Sequence, residues 1–264
     1  MPRRIVLHAG FHKTGTSTVQ RSLRRNRAAL KPYLRSVLRA PMVDVVHAAR
    51  GYSTWRDPVT LMKFRHRFET LLHGFSGMPR RVLCLSSEEL SGHLPGRGEL
   101  ADYSAAPVLA GEMAAAVAAV WPEADLVLFY STRAPGDWLR SAYWEHVKSS
   151  SMTLDFEDFA AGYGAAADLD GMVARIADAV PARVESQSLE ASRTRTAGPV
   201  APILDLCDVP AGVQAGLQIE TANTGFGEDV LAALLRANRE IADRDARRAA
   251  KLAILNAAKE AAND

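Results

Sequence analysis

The residues best suited to chemistry stand near the start of the chain, in the segment His-Lys-Thr-Gly-Thr-Ser-Thr at 12–18. Lys13 supplies a positive charge, and the threonine and serine side chains supply hydroxyl donors. Gly15 permits backbone angles that turn consecutive N–H groups toward one point, which is a geometry that binds phosphate. The segment therefore predicts a phosphate-binding loop, whose predicted ligands are Lys13, Thr14, Gly15, Thr16, Ser17 and Thr18.

A second group of anion-binding residue types occurs in the segment Tyr-Ser-Thr-Arg-Ala-Pro-Gly-Asp-Trp-Leu-Arg-Ser-Ala-Tyr at 130–143. Arg133 offers a guanidinium, which can bind a phosphate through two parallel hydrogen bonds, and Ser141 offers one hydroxyl donor. Pro135 is suited to a first helical turn, so about two helical turns separate the arginine from the serine. These residue types suit a phosphate, but they are equally typical of an arginine that pairs with a carboxylate at a strand end and a helix serine that faces water.

The elements that position these residues are predicted from apolar runs and helical periodicity. Four segments are typical of buried parallel strands: Ile5 to His8, Arg81 to Leu85, Asp125 to Tyr130 and, more weakly, Ala182 to Glu185. Helical patterns cover Ser17 to Leu30, Val59 to Phe75, Val108 to Val120 and Glu228 to Ala262, the last with a break near Asp243–Asp245. This alternation predicts an α/β fold in which a parallel sheet of four or five strands is flanked by helices, in outline like P-loop nucleotide kinases. Both phosphate-binding segments then follow strands, at the carboxyl edge of the sheet.

Composition narrows the class of protein. The chain has 264 residues, a formal net charge of +2, 48% hydrophobic and 23% charged residues, which is typical of a soluble globular protein. We expect one domain over residues 1–264. The mild charge gives no indication of nucleic-acid binding, and the absence of a signal-peptide core or an 18-residue apolar run predicts a cytoplasmic protein with no transmembrane segment. Cys84 and Cys207 are expected to be buried thiols, because no CxxC spacing is present.

The first loop differs from the Walker A loop of P-loop enzymes. Gly10 and Gly15 have the GxxxxG spacing, but Thr16 stands where Walker A has lysine, and the lysine has moved into the loop as Lys13. The second and third predicted strands are not followed by the aspartate that normally helps to hold Mg²⁺. We therefore expect no bound metal.

The 12–17 segment resembles the 5′-phosphosulfate loop of sulfotransferases that use 3′-phosphoadenosine 5′-phosphosulfate (PAPS), and Arg133, Pro135, Ser141 and Tyr143 resemble that family's 3′-phosphate-binding element. The resemblance covers residues 1–30 and 80–145 well. Cytosolic members have a tryptophan where this chain has Thr18, and often Asp or Asn where it has Ala134. The alanine is tolerable in this element. The tryptophan difference, together with the lack of the Gly- and Arg-containing loop that cytosolic members have near their end, indicates a bacterial or carbohydrate-type branch and leaves adenine recognition unassigned.

The resemblance implies transfer of a sulfuryl group from PAPS, the donor co-substrate, to a hydroxyl, or less readily an amine, of a small-molecule or carbohydrate acceptor. Lys13 would stabilise the transferred group, Thr14 to Thr18 would hold the 5′-phosphate, and Arg133 and Ser141 would hold the 3′-phosphate. Family members place a catalytic His or Glu after the second central strand, where this chain has Glu88.

Two residues are candidates for the base that removes the acceptor's proton. A partly buried Glu88 beside an anionic donor should have a raised pKa, although it could instead cap a helix that begins at Ser86 or Ser87, with Glu89 as a solvated neighbour. His47, in the loop expected after the first helix, is the second candidate. Two other functions stay open: a Mg-ATP-dependent kinase for a small molecule, and a catalytically silent nucleotide-binding protein.

Overall fold

A five-stranded parallel sheet forms the centre of the computed structural model, which describes residues 1–78, 81–219 and 226–261. The strands are β1 (Arg4–His8), β2 (Leu34–Val37), β3 (Val82–Ser86), β4 (Asp125–Thr132) and β5 (Arg183–Ser188). Their order across the sheet is β2-β3-β1-β4-β5, and every neighbouring pair is parallel. The predicted α/β fold with a central parallel sheet is confirmed.

Helices cover both faces of this sheet. In chain order they are α1 (Thr16–Arg25), α2 (Arg27–Leu30), α3 (Val43–Trp55), α4 (Pro58–His73), α5 (Ala106–Val120), α6 (Pro135–Ser149), α7 (Phe156–Tyr163), α8 (Leu169–Ala179), α9 (Leu189–Arg193), α10 (Ala201–Leu206), α11 (Ala211–Ala215), α12 (Glu228–Glu240) and α13 (Arg244–Ala261). Within the described ranges, no helix is long and apolar enough to cross a membrane.

The strands alternate their side chains between two hydrophobic clusters. Ile5 and Leu7 of β1 enter the larger cluster, which α3 to α8 and α12 cover, whereas Val6 enters the smaller one beneath α1 and α10. Both cysteines, Cys84 and Cys207, are buried free thiols in the smaller cluster, as expected. A sheet that is covered on both faces explains why its central strands read as continuous apolar runs.

Several elements differ from the sequence expectation, which did not include α7, α8, α9 or α11. Strand β2 was not predicted, because Leu-Arg-Ser-Val is a short edge strand with an exposed arginine. Residues 43–55, expected to lie in a loop, form α3. The predicted helix from Ser17 to Leu30 is interrupted at Asn26, whose side-chain amide donates to the carbonyl oxygens of Ser22 and Gln218.

The long C-terminal helix divides close to the expected place, since α12 ends at Glu240 and α13 begins at Arg244. Its predicted last residue, Ala262, lies outside the described residues.

The carboxyl ends of four strands meet at one edge of the sheet. The loop from Ala9 to Gly15 follows β1, a short turn with Glu88 follows β3, α6 follows β4, and α9 follows β5. This convergence places the chemically active segments of the sequence side by side.

His8 joins three of these strand ends below the site. It is fully buried, and its Nδ1 and Nε2 atoms lie 2.8 Å from Ser86 Oγ and 2.9 Å from Ser131 Oγ. Burial lowers the pKa of His8 to about 3. In the unfolded chain the His8 imidazole binds a proton near pH 6.5, whereas in the folded chain it stays neutral down to about pH 3. The stability that neutral His8 contributes is therefore complete above pH 6.5 and is lost as the pH falls toward 3.

We expect His8 to make the protein acid-sensitive. Between pH 6.5 and pH 5 this one residue should lower the free energy of unfolding by about 2 kcal/mol. Denaturant unfolding of the wild type and of His8→Asn at both pH values measures this contribution, and the loss should be smaller in the variant by that amount. Equal losses in the two proteins would contradict it.

Candidate functional site

A cavity of about 810 Å³ opens at the carboxyl edge of the sheet. Its walls come from the loop after β1, the start of α1, the turn after β3, α6 and α9. Its charged lining consists of six cations and three carboxylates: Lys13, Arg21, Arg50, Arg97, Arg133 and Arg193, with Glu88, Glu89 and Glu145. The volume is that of a small-molecule site, and the excess of cations suits an anionic ligand.

The loop after β1 is held by its carbonyl oxygens. The Phe11 carbonyl accepts from Thr14 Oγ1 at 2.6 Å, and the His12 carbonyl accepts from Trp138 Nε1 at 2.8 Å. The Lys13 carbonyl accepts from Arg133 Nη1 at 3.1 Å. Three consecutive carbonyl groups are therefore engaged by side-chain donors.

The N–H groups of the same loop are left for a ligand. From Lys13 to Ser17, no backbone N–H donates to an acceptor in the part of the chain that the structure describes. Lys13 and Gly15 both have positive φ, 67° and 91°, which turns successive peptide groups in the manner of an anion-binding nest. Thr16 begins α1, so the positive end of that helix dipole points at the same place.

Gly15 is required here for two reasons. Its φ lies in the left-handed region, and a Cβ atom at this position would meet Leu189 Cδ1 at 2.6 Å. Of the predicted loop ligands, Lys13, Gly15, Thr16, Ser17 and Thr18 line the cavity. Thr14 is buried and turns its hydroxyl back into the loop, so only its backbone N–H is left for a ligand.

Lys13 is paired with a residue that sequence reasoning missed. Its Nζ atom lies 3.0 Å from Glu145 Oε2, and Lys148 Nζ lies 3.0 Å from the same oxygen. Although burial raises the pKa of Glu145, attraction to these two lysines outweighs it and lowers the pKa to about 2. Glu145 stands four residues after Ser141, on the same face of α6, and this spacing could have revealed it.

Arg133 contacts the loop through the Lys13 carbonyl and carries an unused donor. Its Nε atom is buried without a hydrogen-bond partner among the described residues. Burial and the nearby Arg193 lower the pKa of Arg133. Ser141 and Arg193 line the same wall. A buried N–H group without an acceptor is costly, so the arrangement favours an anionic ligand here.

Glu88 also lines the cavity, on the β3 side. Gln20 Nε2 donates to its Oε2 atom at 2.9 Å. Burial raises the pKa of Glu88, the neighbouring Glu89 adds to this, and the Gln20 bond partly offsets it. Ser87 precedes the short helical turn but makes no capping hydrogen bond. The pKa of Glu88 is therefore raised, in the direction that sequence reasoning predicted, although its carboxylate also accepts a hydrogen bond from its own backbone N–H at the start of the short helical turn.

Glu89 is not the solvated neighbour that was expected. Its side chain is only 12% exposed, and it pairs with Arg50 at 3.3 Å and with Arg39 at 3.6 Å. Together with His93 and Arg97 it contributes to the lining of the cavity. Burial lowers the pKa of His93 to about 4, with Arg50 and Arg97 adding to the effect.

The structure does not bring His47 to this cavity. His47 is exposed on α3, whereas Arg50 of the same helix lines the cavity. Arg21 of α1 lines the cavity as well. Arg193 was also missed; it is the last residue of α9, five residues after β5 ends.

The structure has an α/β fold with a cation-rich cavity at the carboxyl edge of a parallel sheet. Within the described residues, no group of three or more His, Cys, Asp or Glu side chains is placed to hold a metal ion. No protein-family model and no curated protein matches the chain. Among solved structures, it is similar to a sulfotransferase from Alicyclobacillus acidocaldarius, at 18% identity over 97% of this chain and 95% of that chain, with a TM-score of 0.46.

Proposed function

We propose that this protein transfers a sulfuryl group from PAPS to a hydroxyl, or less readily an amine, of a small-molecule or carbohydrate acceptor. The observation that supports this best is the pairing of two separate phosphate-binding arrangements in one cavity. The open N–H groups of 13–17 form the first, and Arg133 with its unpartnered Nε forms the second. PAPS carries phosphate groups at both its 5′ and its 3′ positions, so it uses both arrangements.

The loop after β1 would hold the 5′-phosphosulfate. The N–H groups from Lys13 to Ser17 donate to its oxygens, and the hydroxyl groups of Thr16, Ser17 and Thr18 stand at the cavity wall. Lys13 would leave Glu145 and place its ammonium on the oxygen that bridges phosphorus and sulfur. Charge grows on that oxygen as the bond to sulfur breaks, so the contact is strongest in the transition state.

Arg133 would hold the 3′-phosphate, with Ser141 and Arg193 beside it. The guanidinium already donates one N–H to the Lys13 carbonyl, so a phosphate can take the buried Nε–H and the second amino group. The same side chain therefore links the two phosphate sites.

Glu88 would act as the general base. The acceptor oxygen forms a bond to sulfur while the bond from sulfur to the bridging oxygen breaks. The acceptor proton passes to the Glu88 carboxylate, and 3′-phosphoadenosine 5′-phosphate leaves with the bridging oxygen. Burial and the raised pKa of Glu88 suit a carboxylate that has to accept a proton.

The pH dependence of turnover should follow Glu88. The rate should be low where the carboxyl is protonated and should rise with pH through its raised pKa. Removing the Gln20 hydrogen bond destabilises the charged form, so Gln20→Ala should move this rise to higher pH. Glu88→Gln should abolish the rise and most of the rate. The measurement is PAPS turnover from pH 4.5 to 8, and identical profiles in the wild type and Gln20→Ala would contradict the role of Glu88.

The donor is tested by calorimetric titration with 3′-phosphoadenosine 5′-phosphate and with ADP, first in EDTA and then with Mg²⁺. We expect metal-independent binding that is tighter for the 3′-phosphorylated nucleotide, because Arg133 and Arg193 add charge-assisted hydrogen bonds. A preference for ADP and ATP that appears only with Mg²⁺ would instead identify a kinase. Binding of the 3′,5′-bisphosphate without turnover against a broad set of hydroxyl compounds would favour the catalytically silent alternative.

A further inference from the structure

A second cavity, of about 700 Å³, lies beside the C-terminal end of α6. Its walls are the segment 148–151 and the first three turns of α13. Five cations and three serines line it, and none of its lining residues is acidic or aromatic. The cations are Lys148, Arg244, Arg247, Arg248 and Lys251.

Two of these cations are structural. Lys251 is buried, and its Nζ atom donates to the carbonyl oxygens of Val147 and Ser150 and to Asn238 Oδ1, at 2.6–2.8 Å. Arg247 donates to the Ile241 carbonyl at 2.9 Å. These bonds fix α13 against the end of α6 and make the floor of the cavity rigid.

Two other cations are available to a ligand. Arg244 and Arg248 are exposed, stand one helical turn apart on α13, and make no ion pair within the described ranges. Side chains four residues apart on a helix project from the same face, so both guanidinium groups can serve one extended anion.

The two cavities share one dividing wall. Arg97 lines the first cavity and donates from its guanidinium to the hydroxyl and the carbonyl of Ser149, which lines the second. Glu145 lines the first cavity and pairs with Lys148, which lines the second. These two contacts connect the linings of the two cavities.

We propose that the acceptor is an acidic oligosaccharide, whose reacting hydroxyl lies near Glu88 and whose carboxylate or sulfate groups extend over the dividing wall to Arg244 and Arg248. The inference rests on the proposed sulfuryl transfer for the choice of a hydroxyl compound. Arg50 and Arg97 add positive charge at the acceptor side of the first cavity. The hydroxyls of Ser149 and Ser150 donate to backbone carbonyls, whereas Ser151 makes no hydrogen bond among the described residues and suits a sugar hydroxyl. A single-stranded nucleic acid would be expected to stack its bases on aromatic side chains, which do not line this cavity.

The test is calorimetric binding of a hexagalacturonate to the protein saturated with 3′-phosphoadenosine 5′-phosphate. The comparison ligands are neutral maltohexaose, a sulfated hexasaccharide and a six-nucleotide DNA strand. The variant Arg244→Ala/Arg248→Ala removes the two available charges. A double variant at remote exposed arginines, Arg24→Ala/Arg175→Ala, is the matched control, since neither residue lines either cavity.

We expect the carboxylated or the sulfated chain to bind, the neutral chain to bind much more weakly, and the affinity to fall with added salt. The Arg244/Arg248 double variant should bind the acidic chain about tenfold more weakly, while the control double variant should match the wild type. The inference would be overturned if neither acidic chain bound, or if the neutral chain bound as tightly as the acidic ones. It would also be overturned if DNA bound more tightly, or if the Arg244/Arg248 variant had the affinity of the wild type for the acidic chain. Nucleotide binding is measured separately in each protein. Loss of nucleotide binding would contradict the proposed donor site, and it can be distinguished from loss of oligosaccharide binding.

Discussion

Replacing Lys13 by methionine should lower PAPS turnover by about 10²–10³-fold while leaving the fold intact. The expected loss is large because the ammonium acts on charge that develops only as the bond between sulfur and the bridging oxygen breaks. Methionine has nearly the length of lysine and also carries a Cβ atom, so the positive φ at this position is no more strained than before. The measurement is formation of 3′-phosphoadenosine 5′-phosphate from PAPS, with water or a hydroxyl compound as the acceptor.

The matched control for Lys13 is Lys63→Met, which removes an exposed lysine of α4 that does not line the cavity. It should turn over PAPS at the wild-type rate. Glu145→Gln adds a second comparison, because it releases Lys13 from its ion pair without removing the ammonium. If Lys13→Met retains wild-type turnover, Lys13 has no catalytic role and the proposed mechanism fails.

The second large effect is expected at Arg133. Arg133→Ala should weaken binding of 3′-phosphoadenosine 5′-phosphate by about 10²-fold, since a charge-assisted hydrogen-bonding partner of the 3′-phosphate is lost. Adenosine 5′-phosphate lacks that phosphate, so its affinity should change much less. The ratio of the two affinities, measured by calorimetry, isolates the 3′-phosphate from any effect on the loop that Arg133 also holds through the Lys13 carbonyl.

Arg133→Lys is a useful companion to this variant. It keeps the charge but loses the planar fork, so it should recover only part of the discrimination between the two nucleotides. An affinity ratio that stays at the wild-type value in Arg133→Ala would place the 3′-phosphate elsewhere and would remove the second of the two proposed phosphate sites.

The sequence was sufficient to predict the central sheet and the two segments that meet in the cavity. Buried parallel strands are apolar runs, and a glycine-containing turn between such a strand and a helix is a local pattern. Lys13, Arg133 and Glu88 each follow a strand of the sheet, so the parallel arrangement alone brings them to one edge. Their convergence follows from the backbone topology and can be predicted without knowing any side-chain conformation.

The residues that sequence reasoning missed depend on tertiary contacts. Arg50 reaches the cavity because 43–55 is a helix that turns this residue inward and leaves His47 outside. Glu89 is buried because Arg39 and Arg50 come from another part of the chain to neutralise it. From the sequence alone, a carboxylate next to a predicted active residue is expected to be exposed to solvent. Whether it is buried depends on the residues that surround it in the folded chain.

The three engaged carbonyls of residues 11–13 have a thermodynamic consequence. Side chains of Thr14, Trp138 and Arg133 already hold this segment in the shape that presents its N–H groups. A flexible loop would lose conformational entropy on taking up a ligand, at a cost of roughly 1–2 kcal/mol for each residue that becomes ordered. Here the loop is already ordered when the chain folds, so the binding site is rigid before an anion binds. The favourable enthalpy of the anion's hydrogen bonds is therefore offset by little loss of conformational entropy.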